Sequence, residues 1–210
     1  MIFVPHLLLL LGQVQPLDSK CSKRIIYLVQ QSLNQYDLVI ARCKELFLRK
    51  NKDYGSAWRV LRLTSLTDQI YIKASRIRTI EEQGTSKVSD GVDDEYVGII
   101  NYCLMALIQH SLAGDDRQDI PVTELGPLYD RFVEQTRQLF QDKNHDYGEI
   151  WREMRISSYT DLILMKLLRI KQIEDNRGLL LASEGVDANY MDIINYCVFA
   201  LIRLEEQSTL

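Results

Sequence analysis

The sequence lacks the features that usually mark structural zinc sites, membrane-spanning segments or nucleic-acid-binding proteins. Its four cysteines include no CxxC pair, so we expect no structural zinc site, and such thiols suit a reducing compartment. The apolar N-terminal stretch, residues 2–11, is too short to span a bilayer as a helix, and no other segment qualifies. The net charge of -4 argues against broad electrostatic binding to nucleic acid but leaves room for a local basic pocket. We therefore expect a cytoplasmic protein with no membrane contact.

The sequence also has no period-two alternation typical of strands and no catalytic motif of a well-understood enzyme class. Hydrophobic residues nevertheless make up 46% of the chain, which is enough for a sizeable core. These observations predict an all-α fold and leave open whether the protein is an enzyme.

A long internal duplication organises the chain. Residues 50–59 read KNKDYGSAWR and return at residues 143–152 as KNHDYGEIWR. Of 65 aligned positions, 33 are identical. The aligned segments are residues 36–82 with 129–175, and residues 91–108 with 185–202. Repeats of this length indicate two copies of one supersecondary unit rather than a solenoid.

The sequence pattern of each copy predicts three helices. In the first copy, helix one covers roughly residues 35–51 and is stopped by Gly55. Helix two begins near Ser65, where SLTD resembles a capping box, and helix three follows Gly91. Because helix three is apolar almost all the way round, we expect the two copies to bury it against each other. This predicts two tandem three-helix repeats packed as one pseudo-twofold helical bundle; two separate units on a linker are the alternative.

The pattern also predicts domain boundaries. Residues 1–35 form an extension outside the repeats, for which a weak signal peptide is the minority interpretation. Repeat one covers residues 36–110, a polar linker covers 111–127, and repeat two covers 128–205. A single-residue length change between the copies falls in the loop before residue 91.

Helix two carries two cations on its core side in both copies. Lys73 and Arg76 interrupt its apolar rows, and Lys166 and Arg169 repeat the arrangement. A desolvated cation must be paired, so three interpretations stay open: an internal ion pair, snorkelling of the long side chains to the rim, or a cradle for a phosphate or carboxylate ligand. The internal partners that we consider are Asp53, Asp93 and Glu81.

The repeated motif supplies aromatic and charged side chains beside a helix end. Tyr54 and Trp58 could stack on a base or pack together, Arg59 adds positive charge, and Asp53 could orient a ligand or serve only the turn. The corresponding residues of repeat two are Asp146, Tyr147, Trp151 and Arg152.

A divided carboxylate pair is a further candidate metal site, besides Asp53 and Asp146, which could also bind a metal. Glu95 and Gly98 in the first copy correspond to Asn189 and Asp192 in the second, so each copy holds one half. Glu95 and Asp192 could form a composite metal site across the pseudo-twofold axis, or they could be structural residues.

The motifs KNxDYGxxWR, TDxIxxKxxRI and IINYC resemble the nucleotide modification associated domain 1 family, over residues 36–205 and in the duplicated form typical of Bacteroidetes. The resemblance implies a link to the metabolism of modified nucleotides. The chain is also distantly similar to all-α pyrophosphohydrolases of the MazG type, which hold magnesium with Glu-x-x-Glu and Glu-x-x-Asp helices. It lacks the first motif and divides the second between Glu95 and Asp192.

Together these features favour a protein that binds a nucleotide or a related phosphorylated small molecule. In this hypothesis the helix-two cations hold phosphate and the aromatic residues flank the base. If the protein is an enzyme, we expect Mg²⁺-assisted phosphoanhydride hydrolysis, with the metal on carboxylates such as Asp53, Asp146, Glu95 and Asp192. The alternative is a non-catalytic helical scaffold or protein-interaction module. A homo-oligomer is compatible with either.

Overall fold

The computed structural model describes residues 19–85, 91–179 and 184–208, with side chains from Val29 onward. All regular elements in these residues are helical, which confirms the predicted all-α class. The α-helices are α1 (Ser19–Tyr54), α2 (Leu63–Gln83), α3 (Val92–Ser111), α4 (Val122–Tyr147), α5 (Ile156–Asp175) and α6 (Val186–Ser208). Short 3-10 helices, Ala57–Val60 and Ile150–Glu153, follow α1 and α4.

The first helix is longer than the sequence pattern predicts. We expected helix one to start near residue 35, but α1 begins at Ser19. Its buried residues include Leu33, Tyr36 and Ile40, so the apolar stripe extends to the N-terminal side of the repeat. The rest of the predicted extension, with its signal-peptide alternative, lies outside the described residues, as do residues 86–90 of the loop that changes length.

The predicted capping boxes of helix two are not formed. Helix α2 begins at Leu63, before Ser65, and its N-cap residue Arg62 makes no side-chain cap. Asp68, expected to cap the helix, instead pairs with Lys171 of the other repeat. Near its first turn, the helix thus uses a polar side chain for tertiary contact rather than for capping.

The helix bundle is built around α3 and α6, as their all-round apolar pattern predicts. Helix α2 packs on α3 and α5 packs on α6, while α3 contacts α6 and α2 contacts α5 across the repeats. Helices α1 and α4 pack on each other and on these central helices. Fully buried side chains of α3 and α6 include Ile99, Ile100, Cys103, Ile193 and Cys197.

Hydrogen bonds between the repeats come in symmetric pairs. Thr67 Oγ1 lies 2.7 Å from the Tyr190 hydroxyl, and Thr160 Oγ1 lies 2.8 Å from the Tyr96 hydroxyl. The ion pairs Lys171–Asp68 and Arg78–Asp161 repeat the same exchange. These contacts agree with the predicted pseudo-twofold arrangement; the domain boundaries themselves stay predictions.

Among the described helices, none has a stretch long and apolar enough to cross a membrane.

Candidate ligand-binding site

A pocket of about 540 Å³ opens in repeat one between the end of α1, the first 3-10 helix, α2 and α3. Its polar and aromatic lining comes from three sequence motifs that lie far apart in the chain. The residues concerned are Lys50, Asn51, Tyr54, Trp58, Lys73, Asp94, Glu95, Asn101 and Tyr102. Apolar side chains such as Leu46, Phe47, Leu61 and Met105 complete the wall. The pocket thus gathers most of the side chains that the sequence analysis singled out in the first copy.

The DYG break gives the pocket its shape. Helix α1 ends at Tyr54, and the Gly55 N–H donates to the Asn51 carbonyl at 2.8 Å. Gly55 has φ +61°, a left-handed conformation that favours glycine, and a Cβ there would lie 2.8 Å from Asp119 Oδ1. The Ser56 N–H donates to that same Asp119 oxygen at 3.0 Å. The tight turn allows Trp58 to follow directly in the 3-10 helix and to face the pocket with Tyr54.

A buried carboxylate holds the cations of helix two. Glu95 is only 5% exposed; its Oε2 accepts from Lys73 Nζ at 2.9 Å, and its Oε1 accepts from Arg76. The predicted internal ion pair therefore exists, but our expected partners were wrong, because Asp53, Asp93 and Glu81 do not fill this role. A carboxylate on the first turn of α3 reaches both cations because α2 and α3 pack side by side.

One cation of the pocket is unpaired within the described structure. Lys50, in the last turns of α1, lines the pocket, is exposed, and forms no hydrogen bond or ion pair with another described residue. Lys50 was not among the ligand residues expected from the sequence. Its identity with Lys143 in the repeated motif was the available signal.

The two aromatic residues of the pocket differ in exposure. Tyr54 is 57% exposed, whereas Trp58 is 8% exposed and its indole Nε1 has no hydrogen-bond partner among the described residues. Partial desolvation raises the pKa of the Tyr54 hydroxyl. Trp58 therefore forms a fixed wall, and Tyr54 stands at the mouth of the pocket.

Three predicted ligand residues of repeat one, Arg76, Arg59 and Asp53, do not line this pocket. Arg59 is directed away: its Nε donates to the Arg117 carbonyl at 3.1 Å and its Nη1 to Gln109 Oε1 at 2.5 Å. Asp53 is exposed on the last turn of α1 and is not a lining residue. Asn101 does line the pocket, but its side-chain amide is already bonded within the protein. Its Nδ2 donates to the Cys43 carbonyl, and its Oδ1 accepts from the Tyr129 hydroxyl.

Repeat two arranges the same positions differently. Asp192 is 6% exposed and accepts from Lys143 at 2.5 Å and from Lys166 at 2.6 Å. Burial alone would raise the pKa of this carboxyl, but the hydrogen bonds from the two lysines outweigh it and leave the pKa lowered. Arg169, predicted to hold phosphate, is exposed and has no hydrogen bond or ion pair within the described part of the chain.

The two aromatic residues of the repeated motif, Trp151 and Tyr147, differ in exposure in repeat two as well. Trp151 stacks on Phe199 with ring centroids 4.6 Å apart, and the Arg152 guanidinium lies over the indole at 4.3 Å. Arg152 is further held by Glu149 and Glu206. Tyr147 is 73% exposed. Asp146 is also exposed, and its one side-chain hydrogen bond with a described residue is to its neighbour His145.

The two halves of the divided carboxylate pair bind different cations. Glu95 binds cations of repeat one, and Asp192 binds cations of repeat two. The described residues contain no group of three or more His, Cys, Asp or Glu side chains that could hold a metal ion. The predicted composite metal site gains no support from this arrangement.

Comparison with known proteins agrees with the duplication. Residues 50–110 and 143–204, together more than half of the chain, match a family model described as nucleotide modification associated domain 1. No curated protein matches the chain, and no solved structure matches it. The predicted family resemblance is confirmed, whereas the distant likeness to MazG-type pyrophosphohydrolases is not shown.

Proposed function

This chain belongs to the nucleotide modification associated domain 1 family, and from that premise we propose that the pocket of repeat one binds a nucleotide or a related phosphorylated small molecule. The observation that carries the proposal is the convergence in one pocket of cations, an exposed tyrosine and a buried tryptophan. Lys73 and Lys50 hold the phosphate, and Tyr54 and Trp58 flank the base.

The size and chemistry of the pocket suit such a ligand. Small-molecule sites commonly have volumes of about 300–1,000 Å³, with apolar walls and a few convergent polar groups. This pocket has about 540 Å³, an apolar floor that includes Phe47 and Met105, and two lysines on its surface. Aromatic rings next to cations can stack on a base while phosphate is neutralised nearby.

The ion pair of Glu95 is compatible with ligand binding. The carboxylate keeps the helix-two cations desolvated but paired, so the site stays folded without a ligand. Lys50 adds a positive charge that Glu95 does not engage. A phosphate near Lys73 and Lys50 would therefore meet unneutralised positive charge.

The proposal is limited to binding. Hydrolysis assisted by Mg²⁺ would need several oxygen ligands on one ion, and the described residues place no second and third carboxylate around Glu95 as a cluster. Magnesium-dependent turnover of a nucleoside triphosphate that is lost in Glu95→Gln would extend the proposal to an enzyme.

The test is a thermal-shift screen of the full chain against nucleoside mono-, di- and triphosphates, with and without Mg²⁺. A nucleotide at about 100 times its Kd should stabilise the fold by about 2.7 kcal/mol. Lys50→Ala should weaken that nucleotide about ten- to hundredfold, because a hydrogen bond to a charged group is worth about 1.5–3 kcal/mol. Lys52→Ala is the matched control, since Lys52 is exposed and does not line the pocket. No shift with any nucleotide, or equal losses in the two variants, would contradict the proposal.

The scaffold alternative is favoured by repeat two, where the lysines are ion-paired and Trp151 is packed on Phe199. If the protein is a scaffold, it should unfold cooperatively, and no nucleotide should raise its melting temperature. The same screen therefore separates the two functions.

A further inference from the structure

The two repeats carry the same three cation positions, but the buried carboxylate that the described residues show in each repeat stands at a different position. The equivalent cations are Lys50, Lys73 and Arg76 in repeat one, and Lys143, Lys166 and Arg169 in repeat two. In repeat one the carboxylate is Glu95, which binds the second and third cations. In repeat two it is Asp192, one helical turn further on, which binds the first and second. The cation left over is Lys50 in the pocket of repeat one and Arg169 on the surface of repeat two.

Glycine occupies the position of Asp192 in repeat one. Gly98 lines the pocket, and Lys73 runs across it so closely that a Cβ on Gly98 would lie 2.9 Å from Lys73 Cε and 3.1 Å from its Nζ. The space that the second repeat fills with a carboxylate is therefore left, in the first repeat, to the lysine and the open pocket. In repeat two the corresponding lysine, Lys166, ends on the Asp192 carboxylate instead.

A second replacement fills the aromatic part of the site in repeat two. Met105 lines the pocket of repeat one, and its counterpart Phe199 stacks directly on Trp151. The indole of Trp58, equivalent to Trp151, faces the pocket instead. Charge and shape thus change together: repeat two supplies both an internal anion and an internal aromatic ring where repeat one has a pocket.

We propose that the anionic group of the ligand binds in repeat one between Lys50 and Lys73, as the Asp192 carboxylate does between Lys143 and Lys166. It follows that the chain binds one ligand, in repeat one, and that repeat two is closed by its own side chains. This inference rests on the proposed function for the ligand's identity. The chemistry that it assigns is a phosphate group bound between two lysines beside Gly98.

The first test uses no ligand. Gly98→Asp places a carboxylate beside Lys50 and Lys73, and Gly98→Asn is its uncharged match of nearly equal size. We expect Gly98→Asp to melt at a higher temperature than Gly98→Asn near pH 7, and we expect the difference to vanish when Lys50→Ala is added to both. Equal melting temperatures of the two variants would overturn the inference, because the position would then not accept an anion.

The second test measures binding of two probes at constant ionic strength, adenosine 5′-monophosphate and inorganic phosphate. Wild type should bind one equivalent of the nucleotide, and Gly98→Asp should bind it at least tenfold more weakly than Gly98→Asn does. Asp192→Gly should gain a stabilisation by inorganic phosphate that exceeds that of wild type, since Lys143 and Lys166 then lack their anion. Phosphate is the probe for that variant because Phe199 still fills the aromatic part of the site.

The outcomes separate this inference from the proposed function. Two nucleotides per wild-type chain, or equal binding by Gly98→Asp and Gly98→Asn, would overturn the inference and leave nucleotide binding in place. If neither probe nor any other nucleotide stabilises wild type, the proposed function fails. In that case a Lys50-dependent stabilisation of Gly98→Asp and a phosphate response of Asp192→Gly would still support the anion position.

Discussion

At the scale of single residues, the two repeats differ in how they satisfy the same buried polar groups. Asn101 and Asn195 are equivalent, and both donate to a backbone carbonyl. The Tyr129 hydroxyl donates to Asn101 Oδ1 at 3.0 Å, whereas Asn195 Oδ1 and the Tyr36 hydroxyl both lack a hydrogen-bond partner among the described residues. Burial raises the pKa of both tyrosines, so each hydroxyl keeps its proton. The sequence identity of these positions did not reveal the difference.

This asymmetry predicts unequal effects of two matched substitutions. Tyr129→Phe should lower the free energy of unfolding by about 1–3 kcal/mol, because it leaves the buried Asn101 Oδ1 without a donor. Tyr36→Phe removes a hydroxyl that makes no bond, so its effect should be near zero or slightly stabilising. Urea denaturation of both variants measures the two values, and equal losses would contradict the assignment.

At the scale of secondary-structure elements, the sequence predicted helix ends better than helix starts. Gly84 ends α2 in a left-handed conformation, with φ +69° and its N–H donating to the Ile80 carbonyl, which is how a glycine commonly ends a helix. The start of α2 was wrong because Thr67 and Asp68, which look like capping residues, make contacts with repeat two. Polar residues near a helix start serve either purpose, and the choice depends on what packs beside them.

The C-terminal glycine of α2 allows a clean test of backbone strain. A Cβ on Gly84 would meet nothing within 4 Å, so substitution there changes only the backbone preference. Gly84→Ala should destabilise the protein by about 1–2 kcal/mol, the cost of the left-handed conformation for an ordinary residue. Gly84→Asn should cost less, since Asn tolerates this conformation. Thermal unfolding of the two variants gives the comparison, and an Asn variant as unstable as the Ala variant would point to a different cause.

At the scale of the whole molecule, a symmetric pair of carboxyl groups lies at the contact between repeats. Glu174 accepts from Thr67 at 2.7 Å, and Glu81 accepts from Thr160 at 2.9 Å. In both cases partial desolvation, the largest effect, raises the carboxyl pKa above its ordinary value despite the threonine hydrogen bond. The repeats thus meet through groups whose ionised form is disfavoured in the folded protein.

These pKa shifts make a signed prediction for the stability of the assembled repeats. Because the folded protein binds the carboxyl proton more tightly than the unfolded chain, stability falls as pH rises from the ordinary glutamate pKa through the raised folded value. Glu174→Gln should therefore be more stable than wild type at pH 7 and match it at pH values below the ordinary range. Glu81→Gln should act in the same direction, and the double variant should combine the two gains. Chemical denaturation across pH measures this, and a gain that persists in acid would contradict the carboxyl assignment.

The pairing of charges could not be predicted from the sequence. The pattern showed that Lys73 and Arg76 need a partner, but the expected partners were Asp53, Asp93 and Glu81 instead of Glu95. Arg59 and Arg152 were expected among the ligand residues, although both are held by the protein itself. For Lys50 the sequence offered one signal, its identity with Lys143 in the repeated motif, and that identity does not show which lysine lacks an internal partner.

The sequence by itself determined the all-α class, the duplication and the helical character of each segment, because these follow from identity between copies and from periodicity within a few turns. Only the tertiary structure decided which cation meets which carboxylate and which residues line the pocket of repeat one. Those outcomes depend on contacts between helix faces that lie tens of residues apart in the chain. The buried carboxylate of repeat two, Asp192, stands one helical turn further along than Glu95 of repeat one, and this shift changes the ion pairs. Lys143 is therefore paired with a carboxylate, whereas its counterpart Lys50 lines the pocket without such a partner among the described residues.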